Sequence, residues 1–341
     1  MALGALVAAG WLLCAGAWGE SASPGSAPIG GRPAALGHAY SALAEDAYAP
    51  VWNPAGLARL PVAQASLMHA GASGAAARQS ATLALPLSAA SGAGFAADLA
   101  DGQAMYGLAY GRRWGPAALG AAARYLDGDG GGGADRPHAW TADLASLYRF
   151  DERLTAAFVA ANLGGRAPSL QEPGFLRPEA RLGAGYVASR RIAYSLEAVY
   201  SKAGGAGVRS GLELRLLGWL AARLGVDSTE QTGSALGVTT GVGLGWAGQS
   251  LDVAYVPRGR DSLEQLSLVL RFGRLPEPAL DEEADAPPAP PAKRVGPASS
   301  VTVHLEPAAA TPEPPATRPA PVPQEQLHLQ PSKSPSLIWL P

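Results

Sequence analysis

A chain of 341 residues with 26 Lys and Arg against 28 Asp and Glu carries a formal charge of -2, which excludes the basic footprint of a nucleic-acid binder. Only 16% of residues are charged and 7% aromatic, while 43 are Gly and 30 are Pro, a mix poor in the large side chains that fill a soluble core. The length admits two or three globular domains, but the composition fits better a single sheet closed into a wide barrel, which needs no such core.

In chain order, residues 1–23 read as a signal peptide. Ala2 to Ala17 form an apolar run too short for a transmembrane helix, and Gly19, Glu20, Ser21, Ala22 and Ser23 make a small-residue cleavage region. The n-region lacks its usual basic residues, since Arg32 is the first cation. The single cysteine, Cys14, lies in the apolar run behind Leu13, where a lipoprotein cleavage site requires a small residue. Removal of the leader leaves no thiol, so disulfide and cysteine-ligated metal chemistry are excluded from the mature chain.

Residues 24–62 read as a plug-like segment. From Leu36 to Ala49 small and apolar residues dominate, with Glu45 and Asp46 as the only charges, and one or two helical turns ended by Pro50 are expected. Then follow Trp52, Asn53, Pro54, Ala55, Gly56 and Leu57. Asn before Pro is biased out of the helical basin, so Asn53 is expected to cap a short helix with Pro54 at its first position, closed by Leu57, Leu60 and Pro61.

The string SALAEDAYAPVWNPAGLA resembles the N-terminal signature of the PorV/PorQ family, outer-membrane barrels related in architecture to FadL-type transporters of hydrophobic compounds. The matching positions are Ala42, Leu43, Ala44, Asp46, Trp52, Asn53, Pro54, Ala55, Gly56 and Leu57; Glu45 stands where Asp is more usual. The resemblance implies a bacterial outer-membrane location and a non-enzymatic role in transport or secretion.

Between residues 63 and 273 the chain divides into segments of alternating polarity separated by Gly, Pro, Asp and Asn. The segments are Gln64–Gly71, Arg78–Ser88, Gly92–Asp101, Ala104–Gly115, Ala117–Asp129, His138–Phe150, Leu154–Leu163, Glu179–Ser189, Ile192–Lys202, Ala206–Gly218, Trp219–Thr229, Ala235–Ala247, Ser250–Pro257 and Leu263–Gly273. Fourteen such segments predict an all-β fold, a transmembrane antiparallel β-barrel with lipid outside and a polar lumen, since an even strand count closes the sheet without an edge. Trp114, Trp140, Phe150, Tyr200, Trp219 and Trp246 sit near segment ends, where interfacial girdles belong. Glycines within the segments are read as relieving crowding in a curved sheet. Leu266, Leu268, Leu270 and Phe272 share one face of the last segment, a signal of the kind read by the outer-membrane assembly machinery. The loops Asp127–Pro137 and Gly164–Pro178 are the long ones, and the former lacks the ligand spacing of a calcium loop.

The candidate lumen residues are Asp143, Arg149, Arg181, Glu197, Arg209, Glu213, Arg215, Arg223, Asp227, Asp252 and Arg271, expected to pair with one another in a hydrated network. No catalytic constellation and no metal or cofactor site is expected: the five histidines are scattered, and no G-x-S-x-G, Walker or dinucleotide motif lies in its required context.

Residues 274–341 hold 17 of the 30 prolines, with an acidic patch at Asp281, Glu282, Glu283 and Asp285, and are read as a disordered periplasmic tail. The apolar islands Val301–Leu305 and Leu337–Leu340 could dock a periplasmic partner or form part of a spacer. Three roles follow: an accessory or shuttle for secreted proteins in type IX-like export, as in PorV; a FadL-like passage for hydrophobic small molecules; or a structural barrel anchoring envelope partners through its tail.

Overall fold

The computed structural model describes residues 29–72, 77–100, 103–128, 138–164, 178–201, 205–229, 236–258 and 261–273. The segments expected as leader and tail, and most of the two long loops, lie outside the described residues.

Fourteen strands form one closed antiparallel barrel. They are β1 (Ala63–Ala72), β2 (Arg78–Ser88), β3 (Ser91–Ala100), β4 (Gln103–Trp114), β5 (Ala117–Asp127), β6 (His138–Arg149), β7 (Leu154–Leu163), β8 (Glu179–Ser189), β9 (Ile192–Ser201), β10 (Gly205–Leu217), β11 (Leu220–Asp227), β12 (Gly237–Trp246), β13 (Gln249–Arg258) and β14 (Asp261–Phe272). Each strand pairs with its sequence neighbours, and β14 returns to β1 with Ala63 opposite Phe272 and Ala72 opposite Leu263. The expected segments and the observed strands agree in number and nearly in bounds. Alternation succeeds as a guide because the two faces meet different media.

The outward face carries large apolar side chains in the open, among them Leu108 at 67%, Trp140 at 66% and Leu182 at 62% exposure. A continuous exterior of this kind is stable only against hydrocarbon. Trp114, Phe150, Trp219 and Trp246 ring the end with the short turns, and Trp140 and Tyr200 lie toward the loop end, as the girdle expectation requires. Strand direction puts the start of β1 and the finish of β14 together at the short-turn end.

The interior departs from expectation, because the barrel does have a core. Residues 29–62 lie within the lumen, and Ile29, Leu36, Tyr40, Tyr48 and Trp52 cluster with Met68, Val256, Leu263 and Val269 of the wall. A second cluster joins Ala55 and Ala58 to Leu147 and Val159. Composition did not call for this core because the filling, supplied by the expected plug, is largely alanine and backbone, not bulky side chains.

The local structure of the plug also differs. Helix α1 spans Gly31–Ala35 and helix α2 spans Ala49–Trp52, and where one or two helical turns were expected between Leu36 and Ala49 the residues between these helices run as isolated turns. Pro50 lies in the first turn of α2 and starts a helix instead of ending one, because the N–H it lacks would have no partner there. A 3-10 helix follows at Pro54–Arg59, with Asn53 as its cap as the Asn-Pro pair predicts.

Candidate functional site

The plug is held along its whole described path, and its motif residues are the anchors. Asn53 Oδ1 accepts from the Ala55 amide at 3.0 Å, while its Nδ2 donates to the Ser41 carbonyl at 2.9 Å and to the Ser146 carbonyl of β6 at 3.3 Å. One buried side chain thus caps a helix, staples two turns of the plug and fixes both to the wall. Trp52 Nε1 donates to the Ile29 carbonyl at 2.9 Å, and Arg181 of β8 lies over the indole, 5.6 Å from its centroid. Pro54, Ala55, Gly56 and Leu57 are all buried.

Asp46 organises the other half. It accepts from the Tyr40 hydroxyl, from Arg32 Nη1 at 3.2 Å and from the Tyr48 amide at 3.0 Å. Burial raises the pKa of both tyrosines, so each stays a neutral donor. Tyr48 spends its proton on Ser267 Oγ of β14 at 2.8 Å. From Arg32 an ionic chain runs into the wall: Nε bonds Glu213 of β10 at 2.8 Å, Glu213 takes Arg223 Nε of β11 at 2.7 Å, and Arg223 Nη1 reaches Asp252 of β13 at 2.7 Å. Burial opposes the charge on Arg32, but Glu213 and Asp46 outweigh it and hold its pKa above the ordinary value.

Two further groups serve the loop end. His38 Nδ1 lies 2.7 Å from Asp227 of β11, and Asp227 faces Arg209 Nε at 3.6 Å. Arg209 also meets Glu197 at 3.1 Å, and Glu197 accepts from the Ser41 amide at 3.0 Å. Arg124 of β5 pairs with Asp143 of β6 and donates to the Val51 carbonyl at 3.1 Å. Asp143 also accepts from the Asn162 amide at 2.9 Å, where the β6–β7 register shifts.

The candidate wall residues therefore divide. Glu197, Arg209, Glu213, Arg223, Asp227 and Asp252 form the expected ion pairs, but the pairs are buried against the plug and not bathed in a hydrated lumen. Arg149 pairs with Glu45 of the plug instead of a wall partner, and Arg181 faces Glu179 at 3.5 Å. Arg215 approaches Glu213 at 3.7 Å. Arg271 donates to the Gly248 carbonyl at 3.0 Å and to Ser250 Oγ at 3.5 Å.

Sequence reasoning missed Arg32, His38, Tyr40, Glu45 and Tyr48, all polar groups in a segment of small residues. The available signal was Arg32 itself: it and Arg59 are the only cations before Arg78, and a cation headed for burial requires a carboxylate. The strand glycines were also misread. Gly111 of β4 and Gly120 of β5 lie where a methyl group would overlap the backbone of Pro54 and Ala55, and Gly225 of β11 touches the Gly37 amide. These glycines are seats for the plug's main chain, not only relief for sheet curvature.

No family model and no curated protein matches the chain. Among solved structures it is similar to the Ralstonia pickettii toluene transporter TbuX, with a TM-score of 0.55 and 11% identity over 72% of this chain and 98% of that one. A mutant porin of Rhodopseudomonas blastica aligns at a TM-score of 0.38 and 10% identity over 62% of this chain and 99% of the porin. The KdgM porin aligns at 0.38 and 7% over 62% and 99%. At such identity the likeness to TbuX concerns the fold, and this chain has the FadL-like, closed-barrel architecture of a bacterial outer-membrane protein.

Proposed function

We propose that the chain is a plugged outer-membrane barrel of the PorV/PorQ type that serves as an accessory or shuttle in protein secretion, working by protein contact at its loop end. The observation that carries this reading is the anchoring of the plug on separate parts of the wall, through Asn53 to β6 and through Arg32 to β10. Two described recesses beside the plug are small and lined by arginines and carboxylates, the larger about 50 Å³, well short of the few hundred Å³ that a hydrophobic ligand occupies. Deleting the gene and comparing the secreted proteins of mutant and parent tests it: loss of surface or secreted proteins is expected, and an unchanged secretome rejects the reading.

The second reading is a FadL-like passage for hydrophobic small molecules, favoured by the likeness of the barrel to a toluene transporter. It requires the plug to shift. Uptake of a labelled aromatic hydrocarbon that depends on the protein, beside normal secretion, would favour the passage over the adaptor.

A further inference from the structure

Among the described residues, the short-turn end is rich in arginine. Arg113, Arg149, Arg215 and Arg271 occupy inward positions at the last turns of β4, β6, β10 and β14, Arg153 stands exposed on the β6–β7 turn, and Arg59 reaches the same mouth from the plug. The cavity of about 50 Å³ there is lined by Arg32, Arg59, Arg149, Arg153 and Arg271 against Glu45, Asp46 and Glu152.

Two of these three acids are already engaged, and the third, Glu152, stands exposed beside Arg153 on the turn. Glu45 is shared between Arg149 and Arg59, and Asp46 is taken by Arg32 and Tyr40. Arg271 instead donates to a carbonyl and a hydroxyl, and Arg113 donates to the Ala89 carbonyl at 2.8 Å. Burial lowers the pKa of Arg59; Glu45 raises it, but Arg149 and Arg113 lower it again, leaving it below the ordinary value. Cation is in excess at this mouth.

We propose that the short-turn mouth is a docking site for an acidic peptide segment of a partner protein, whose carboxylates seat on the inward arginines. Arg113, Arg149, Arg215 and Arg271 face the lumen, away from lipid headgroups, whereas Arg112 points outward beside Trp114. A lone small anion does not match the arrangement either, because the arginines come from strands spread around the ring. A string of carboxylates on an extended chain matches that spread, and guanidinium forks bind carboxylates in pairs of parallel hydrogen bonds. This inference stands apart from the secretion and passage readings, since it concerns the opposite end of the barrel from the loops.

The test is fluorescence anisotropy of a labelled hexaglutamate peptide with the full chain in detergent micelles, with hexalysine and inorganic phosphate as comparisons. Binding that weakens with salt is expected, with about a tenfold loss in the Arg153→Gln, Arg271→Gln double variant and none in Arg112→Gln. Arg153→Gln alone, at an exposed turn, keeps the test open if the double variant fails to show heat-modifiable migration, and it too must weaken binding. The proposal is overturned if hexalysine binds as well as hexaglutamate, if Arg112→Gln loses as much affinity as the inward variants, or if phosphate displaces the peptide at equal concentration.

Discussion

Arg32 Nε donates to Glu213 Oε2 at 2.8 Å, joining two residues 181 positions apart and tying the plug to β10. Glu213 is 1% exposed and also receives Arg223, so the pair is a dry junction between the plug and two strands.

Breaking one side of such a junction leaves a buried charge short of a partner, which costs about 3 to 5 kcal/mol. Arg32→Met should therefore release the plug while the barrel keeps its heat-modifiable migration. Single-channel conductance in planar bilayers should rise. Adding Glu213→Gln should restore part of the seal; equal conductance in both variants would show that Arg32 acts by packing alone.

The motif turn should behave in the same sense. Asn53→Ala with Pro54→Ala removes the cap, the wall staple and the preset backbone angle, worth about 1 to 2 kcal/mol together. The barrel should still assemble. Raised permeability is expected, whereas a lost secretion phenotype with unchanged conductance would favour an adaptor role for this turn.

Steric seating gives a sharper contrast. A methyl at Gly225 would overlap the Gly37 amide, whereas one at Gly107 of β4 finds its nearest neighbour at 3.5 Å. Gly225→Ala should displace the plug and increase its cleavage by added protease, at a cost of about 1 to 3 kcal/mol. Gly107→Ala should leave it protected, and equal cleavage of both would refute the seating role.

On the exterior, cost should follow depth. Leu268→Arg near the middle of β14 should impair assembly by about 2 to 4 kcal/mol, while Phe272→Arg at its end should cost about 0 to 1. Gln265 would be a poor inward control, since it is 1% exposed against the filled lumen. Folding yield into vesicles measures the difference, and equal yields would refute the dependence of cost on depth.

Alkali should loosen the plug. Tyr40 and Tyr48 have raised pKa values in place, while a released plug exposes them with ordinary values near about pH 10. Below that pH both states hold their protons and the stabilisation is complete; above it the released state ionises first, so each tyrosine costs the plug about 1.4 kcal/mol per pH unit. Protease protection of the plug should fall above about pH 10 in the native protein, and less steeply in Tyr48→Phe.

The strands were legible because lipid on one side and polar groups on the other impose a period of two on every segment, and His138–Arg149 shows it cleanly. The Asn53 cap was legible for a different reason: Asn-Pro chemistry is local. The rest of the site was not, because its contacts join residues distant in sequence. Nothing near Glu213 announces Arg32, and nothing in the strand around Gly225 announces Gly37. Pro50 misled for a related reason, since proline both ends helices and opens them, and only the surroundings decide which.

The seam between β1 and β14 joins the first strand to the last, with Leu67 opposite Leu268 at its middle. The ring therefore shuts only when the whole strand set has been made, and the segment it encloses precedes β1 in the chain. If the wall closes around that segment, its charges meet their counter-ions before the interior dries, and no ion need cross an apolar gap unpaired. On this view the order of events cannot be inverted. A barrel assembled without residues 29–60 should not take up a separate peptide of that sequence after closure, whereas the two pieces refolded together should yield a sealed ring.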